Sequence, residues 1–227
     1  MLSTEARNWL APGAWRCSGE AWGEAGRSWM VGNAVALLPR SPLCELLTAR
    51  RSVITFHATH HAADHGLEAS GTLAAARVEA SQEAFLGSLC VDRYDVPRRA
   101  GALAHDVADV VAPIGASVDL ESVLLEGDEV DARLLSLEMA PPVRYLHDAA
   151  AMVAYCASAA QAQADQLRLA AAMATSGQRA ARAELLQLVC GQLAQGSALL
   201  ASLWLTAWRQ AGQPSLVGRP PQLPWCA

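Results

Sequence analysis

Apolar residues recur at helical spacing along most of this chain, and the elements they predict are helices. The clearest is 179–210, where Leu185, Val189, Leu193, Gly196, Leu200, Leu203 and Ala207 follow one another every three or four residues. Gly191 and Gly196 predict a close neighbour, and Gly212 and Pro214 end the helix in the expected order. A helix through 20–38 puts Trp22 and Trp29 on one side, and Pro39 closes it. Ser41-Pro42 is a helix opening, with Ser as cap and Pro in the first turn, and the chain can then run helical to Gly66. Within that run Val53-Ile54-Thr55-Phe56 also suits a short strand, but with no evident partner helix is preferred. Further helices are expected over 72–92, over 99–112 after a break at Tyr94–Pro97, as two short pieces around Gly127 in 117–139, and over 145–173. The sum is an all-α, single-domain bundle of about seven to nine helices, with a Trp/Gly-rich segment at 1–38 and an extended Pro-rich tail at 213–227.

Composition supports that picture and removes several functions. Hydrophobic residues are 52% of the 227 and charged residues 17%, too apolar for a disordered chain. Alanine, about a fifth of the chain, loses no side-chain entropy in a helix. A net charge of -5, with no Lys, argues against a nucleic-acid duplex as partner. No run of eighteen uninterrupted apolar residues predicts a membrane span, and Met1–Asn8 has no secretory pattern. Six cysteines at 17, 44, 90, 156, 190 and 226 contain no C-x-x-C. Cys156 and Cys190 fall on apolar faces and are expected to be buried thiols, so a reducing, cytoplasmic home is favoured.

Candidate chemistry lies with the histidines. His57, His60, His61 and His65 fall within nine residues, with Asp64 among them. On a helix His57, His61, Asp64 and His65 share one face, a donor set suited to zinc or another divalent metal. Histidines near a helix C-terminus have a competing explanation in the helix dipole. His105 and Asp109 are four apart and form a second ligand pair or an acid/base pair, with His60 as a further catalytic candidate. His147-Asp148 is a third pair; an Asp beside an imidazole commonly orients it. Arg27 or Arg51 would hold an anionic substrate, and Trp22 and Trp29 would either line an apolar pocket or anchor the packing. The acidic span 117–139 lacks the spacing of a calcium loop. His60-His61-Ala-Ala-Asp64 is one residue short of an acyltransfer signature. No Glu-x-x-His element marks a di-iron bundle, and neither phosphate-loop glycine pattern occurs.

Two stretches carry a resemblance. Trp22-Gly23-Glu24-Ala25-Gly26-Arg27, followed by a helix ending in Leu37-Leu38-Pro39, resembles the Trp-Gly-x-x-Gly-His opening of the helical zinc-dependent phospholipases C and single-strand nucleases. Leu200–Gly212 is similar to the last helix of some bacterial proteins of that type. The family's His-x-x-x-Asp ligand pairs could be matched by His105 and Asp109 or by His60 and Asp64. Arg27 stands where that family has an early zinc-ligating His, His147 has Ala151 at the fourth position, and the further His six residues beyond a His-x-x-x-Asp pair is not seen. The resemblance covers about a fifth of the chain. It implies an all-helical fold and phosphoester hydrolysis, in a divergent member with a rebuilt or missing metal site.

The leading expectation is thus a metal-dependent hydrolase of a small ester or phosphoester. Its first rival is a non-catalytic helical protein that binds an apolar small molecule or a protein partner. The second is a helical metal-dependent oxidoreductase.

Overall fold

The computed structural model describes residues 22–60, 71–112, 129–175 and 178–216. Nine helices lie among them: α1 (Glu24–Leu37), α2 (Pro42–Ala49), α3 (Arg51–His60), α4 (Gly71–Val91), α5 (Val96–Val110), α6 (Glu129–Glu138), α7 (Ala149–Ala162), α8 (Ala164–Thr175) and α9 (Arg179–Gln210). They form one all-α bundle, and no strand occurs among the described residues.

Two helices organise the packing. α9 touches α1, α4, α5, α6, α7 and α8. Val189, Leu193, Leu200, Leu203, Trp204 and Ala207 on it are wholly buried. It is long and apolar enough to cross a membrane, but 83% of its most apolar window is buried inside the bundle, as in a core helix. α5 packs against α1, α3, α4, α7 and α9, and nearly every residue from Val96 to Val110 is buried. A helix enclosed on that many sides cannot send its polar residues to water, so His105 and Asp106 on α5 lie inside.

Local chemistry sets most boundaries. Ser41 Oγ accepts the Cys44 amide at 3.2 Å and caps α2, with Pro42 in the first turn. The helical run expected from Ser41 to Gly66 is broken at Arg50. In the last turn of α2 the Thr48 hydroxyl donates to the Cys44 carbonyl at 2.7 Å, a back-bond that bends helices. Val53–Phe56 is helical. The break expected at Tyr94–Pro97 is shorter, because α5 starts at Val96 and takes Pro97 into its first turn, where the absent amide costs nothing. The single helix expected over 145–173 is two, α7 and α8, divided at Gln163, and it starts late because Asp148 caps it by accepting the Ala151 amide at 2.8 Å. The strand-free segment before α7 is pinned to α9: the amides of Arg144 and Leu146 donate to Ser202 and Thr206, one turn apart. α9 ends as expected, with Gly212 at φ 78° and the Gln213 amide reaching back to the Trp208 carbonyl at 2.9 Å.

Close approach is bought by glycine at two helix crossings. A Cβ on Gly101 of α5 would stand 2.6 Å from the Ile54 carbonyl oxygen and 2.6 Å from the His57 Cβ of α3. A Cβ on Gly196 of α9 would meet Met30 Cε at 2.8 Å and Val111 Cγ2 at 2.9 Å. Cys156 and Cys190 are buried, as expected, and burial pushes each thiol up to about 11.

Gly101→Ala therefore forces backbone apart, and urea unfolding should show a loss of about 1–3 kcal/mol despite alanine's better helix propensity. Gly87→Ala on α4 meets nothing within 4 Å and should gain up to about 1 kcal/mol. A gain for both variants would refute the close α3–α5 contact.

Candidate functional site

The polar centre of the bundle is built on one turn of α5. Helical spacing puts His105 and Asp109 on one face with Asp106 beside them. α1 brings Arg27, 3% exposed, whose Nη2 donates to Asp109 Oδ1 at 3.1 Å. α4 brings Arg77, whose Nη2 donates to Asp109 Oδ2 at 2.6 Å while its Nε lies 3.5 Å from Asp106 Oδ1. One turn along α4, the Ser81 hydroxyl donates to Asp106 Oδ2. His105 Nδ1 lies 3.0 Å from the Ala58 carbonyl of α3, which can only accept, so Nδ1 carries the proton. The other ring nitrogen is 3.9 Å from Asp109 Oδ2. Four helices thus meet through these side chains.

Two guanidiniums face two carboxylates, so the centre is close to neutral when His105 is neutral. Burial holds the His105 pKa below the usual histidine range, and the Arg27 charge lowers it further. Asp109, the Ala58 hydrogen bond and Asp106 oppose this without reversing it.

The sequence candidates are distributed unevenly around this centre. His105, Asp109 and Arg27 meet within it. His61, Asp64 and His65 lie outside the described residues, so the four-donor face they form with His57 does too. His57 sits at the α3–α5 crossing, its ring 5.3 Å from Phe56 and edge-on to it. His60 is on the surface instead: half exposed, stacked on Phe56 at 4.7 Å, with Nε2 3.4 Å from Glu24 Oε1. Trp22 and Trp29 are core residues at 1% and 7% exposure, as a packing role requires. Arg51 is half-buried at the start of α3, against Gly32 of α1. The His147-Asp148 pair resolves into a helix cap and an imidazole edge-on to Tyr145. Arg77 and Ser81 were not foreseen; the available signal was an arginine and a serine four apart, on one face of an otherwise alanine-rich helix.

The donors at His105 and Asp109 do not suit zinc. Each Asp109 oxygen is already held by a different guanidinium, Asp106 is held by Arg77 and Ser81, and His105 points Nδ1 at a backbone carbonyl. A dication would have to enter beside two fixed positive charges. Among the described residues no group of three or more His, Cys, Asp or Glu is placed to hold a metal ion. Comparison with protein-family models, with curated proteins and with solved structures finds no match for this chain.

Removing one charge strands its partner in the interior, so Asp109→Asn should lower stability by about 3–5 kcal/mol, measured by urea unfolding. His105 gives a pH signature. Its folded pKa is depressed, so the unfolded chain binds the proton more readily, and stability present above pH ~6.5 is lost as the pH falls below it. Unfolding free energies measured from about pH 7 to pH 5 should decline for the native protein and flatten for His105→Asn. Equal slopes would show that His105 is not buried as a neutral base.

Proposed function

We propose that this chain is a metal-free, non-catalytic helical binding protein, a divergent relative of the zinc-dependent phospholipases C and single-strand nucleases. The observation that carries the reading is the contact between Arg27 and Asp109, at 3.1 Å. These residues are 82 positions apart; Arg27 belongs to the first stretch that carries the resemblance, and Asp109 to one of the two His-x-x-x-Asp pairs that could match the family's ligands. Arg27 holds the place of an early ligand His, and Asp109 closes the His-x-x-x-Asp pair. Their meeting supports a shared arrangement of helices. The residue that has replaced the ligand brings a permanent positive charge to where a cation would sit. Arg77 adds a second one on the far oxygen of the same carboxylate. The pairing supports a role for this centre as a tie between helices: its charges are spent on one another, which leaves no excess charge to polarise a substrate and no open donor set to activate water.

The test is made on the full chain, purified without added metal. Metal content is measured, melting is followed with and without a chelator, and hydrolysis of a small phosphodiester and a small ester is assayed with zinc supplied. The reading expects no stoichiometric zinc, unchanged melting and no turnover above background. Stoichiometric zinc whose removal lowers the melting temperature would overturn it, and loss of that zinc in His61→Ala would return the chemistry to the His57–His65 stretch.

A further inference from the structure

A second pair of arginines has no such partners among the described residues. Gly32 is buried on α1, and a Cβ there would lie 2.5 Å from Arg51 Nη2 and 3.5 Å from Arg133 Nη2. Two guanidiniums, from the start of α3 and from α6, therefore converge over one glycine, and Arg51 takes the space that a side chain there would fill. Arg133 is held in place: its Nε donates to Asn33 Oδ1 at 3.3 Å, and the fully buried Asn33 is fixed in turn by donating to Ser136 Oγ at 2.8 Å. Arg27, Arg77, Arg98, Arg99 and Arg168 each rest on an aspartate, whereas among the described residues no carboxylate pairs with Arg51 or Arg133. Both are half-buried, so each keeps part of its side chain open to solvent.

Like charges held this close repel, and the repulsion grows as water is excluded. An anion between them would reverse its sign. The fork of a guanidinium matches two oxygens of a phosphate group, and a tetrahedral dianion brings a second charge and more oxygens than the two a carboxylate must share between two forks. We propose that Gly32, Arg51 and Arg133 form a binding site for a small oxyanion of the phosphate class, either free phosphate or the phosphomonoester end of a small molecule. The site is separate from the His105–Asp109 centre and does not depend on whether that centre is metal-free.

Inorganic phosphate is titrated into the full-length protein by calorimetry and by thermal shift, at constant ionic strength set with chloride. The site predicts saturable binding and a raised melting temperature, with affinity reduced roughly tenfold or more in Arg51→Gln and in Arg133→Gln. Arg51→Lys keeps the charge without the fork, and it reads the same question if Arg51→Gln fails to fold. Gly32→Ala supplies an independent check: its Cβ overlaps the far end of the flexible Arg51 side chain, so the chain should fold with that guanidinium displaced and the affinity lowered. Glycerol phosphate is titrated alongside; tighter binding than inorganic phosphate supports the site with an organic phosphate as its occupant, and the reverse supports it with the free ion. Absence of saturable binding, equal affinity in both arginine variants, or acetate binding as tightly as phosphate would overturn the proposal.

Discussion

One carboxylate, on Asp109, is gripped from both sides by guanidiniums from two other helices, and the centre of the bundle is arranged around that grip. Taking these charges out of water is expensive, and mutual attraction repays the cost only when each oxygen and each N–H finds a well-placed partner. Here the carboxylate oxygens find partners on α1 and α4, with Ser81 completing Asp106 and the Ala58 carbonyl holding His105, while the buried Arg77 Nε has only a 3.5 Å ion-pair contact with Asp106. Apolar residues of similar volume could fill the same space at no greater cost. What the ions add is direction. Arg27 and Arg77 can satisfy Asp109 in only one register of α1 and α4 against α5, whereas an Ala- and Leu-rich interface tolerates sliding.

The same constraint explains how α5 can be both central and polar. It is enclosed by α1, α3, α4, α7 and α9, and at Gly101 the backbone of α3 comes within contact of its own. That approach carries the Ala58 carbonyl to His105. Neutral His105 accepts this position because its proton has an acceptor. A second charge on it would sit beside Arg27 in a place with little water, which is why its pKa is held down. Packing at glycine and electrostatics at histidine are therefore two consequences of one helix crossing.

Much of the bundle could be read in the residues. α9 was visible in full because three signals agreed: the apolar period, the internal glycines and the Gly212–Pro214 stop. Elsewhere a single signal was available and the boundary moved. Pro97 marks a break only if it lies between helices, and its tolerance in a first turn makes either place lawful. The division at Gln163 has no glycine or proline beside it, so nothing local could announce it. In the polar centre, the His105–Asp109 spacing was readable because it is local to one helix. The partners were not, since Arg27 is 82 residues away and Arg77 is 32, and a lone arginine on a helix normally faces water. The same gap in information hid the surroundings of His60, which lies half exposed beside Glu24 of α1.

Arginines in this protein have come to serve two opposite ends through the same chemistry. Where a guanidinium meets a carboxylate inside the chain, as at Arg27 and Arg77, its field is cancelled at short range and what remains is geometry. Where two guanidiniums meet over Gly32 with no carboxylate among the described residues to pair them, the field is not cancelled there, and folding has to hold them together against it. Nothing about the stability of the bundle requires that convergence: a glutamine at either position would remove the repulsion. An arrangement that works against folding, is braced by the fully buried Asn33, and faces solvent on one side is one whose benefit lies outside the chain, in an anion that completes it.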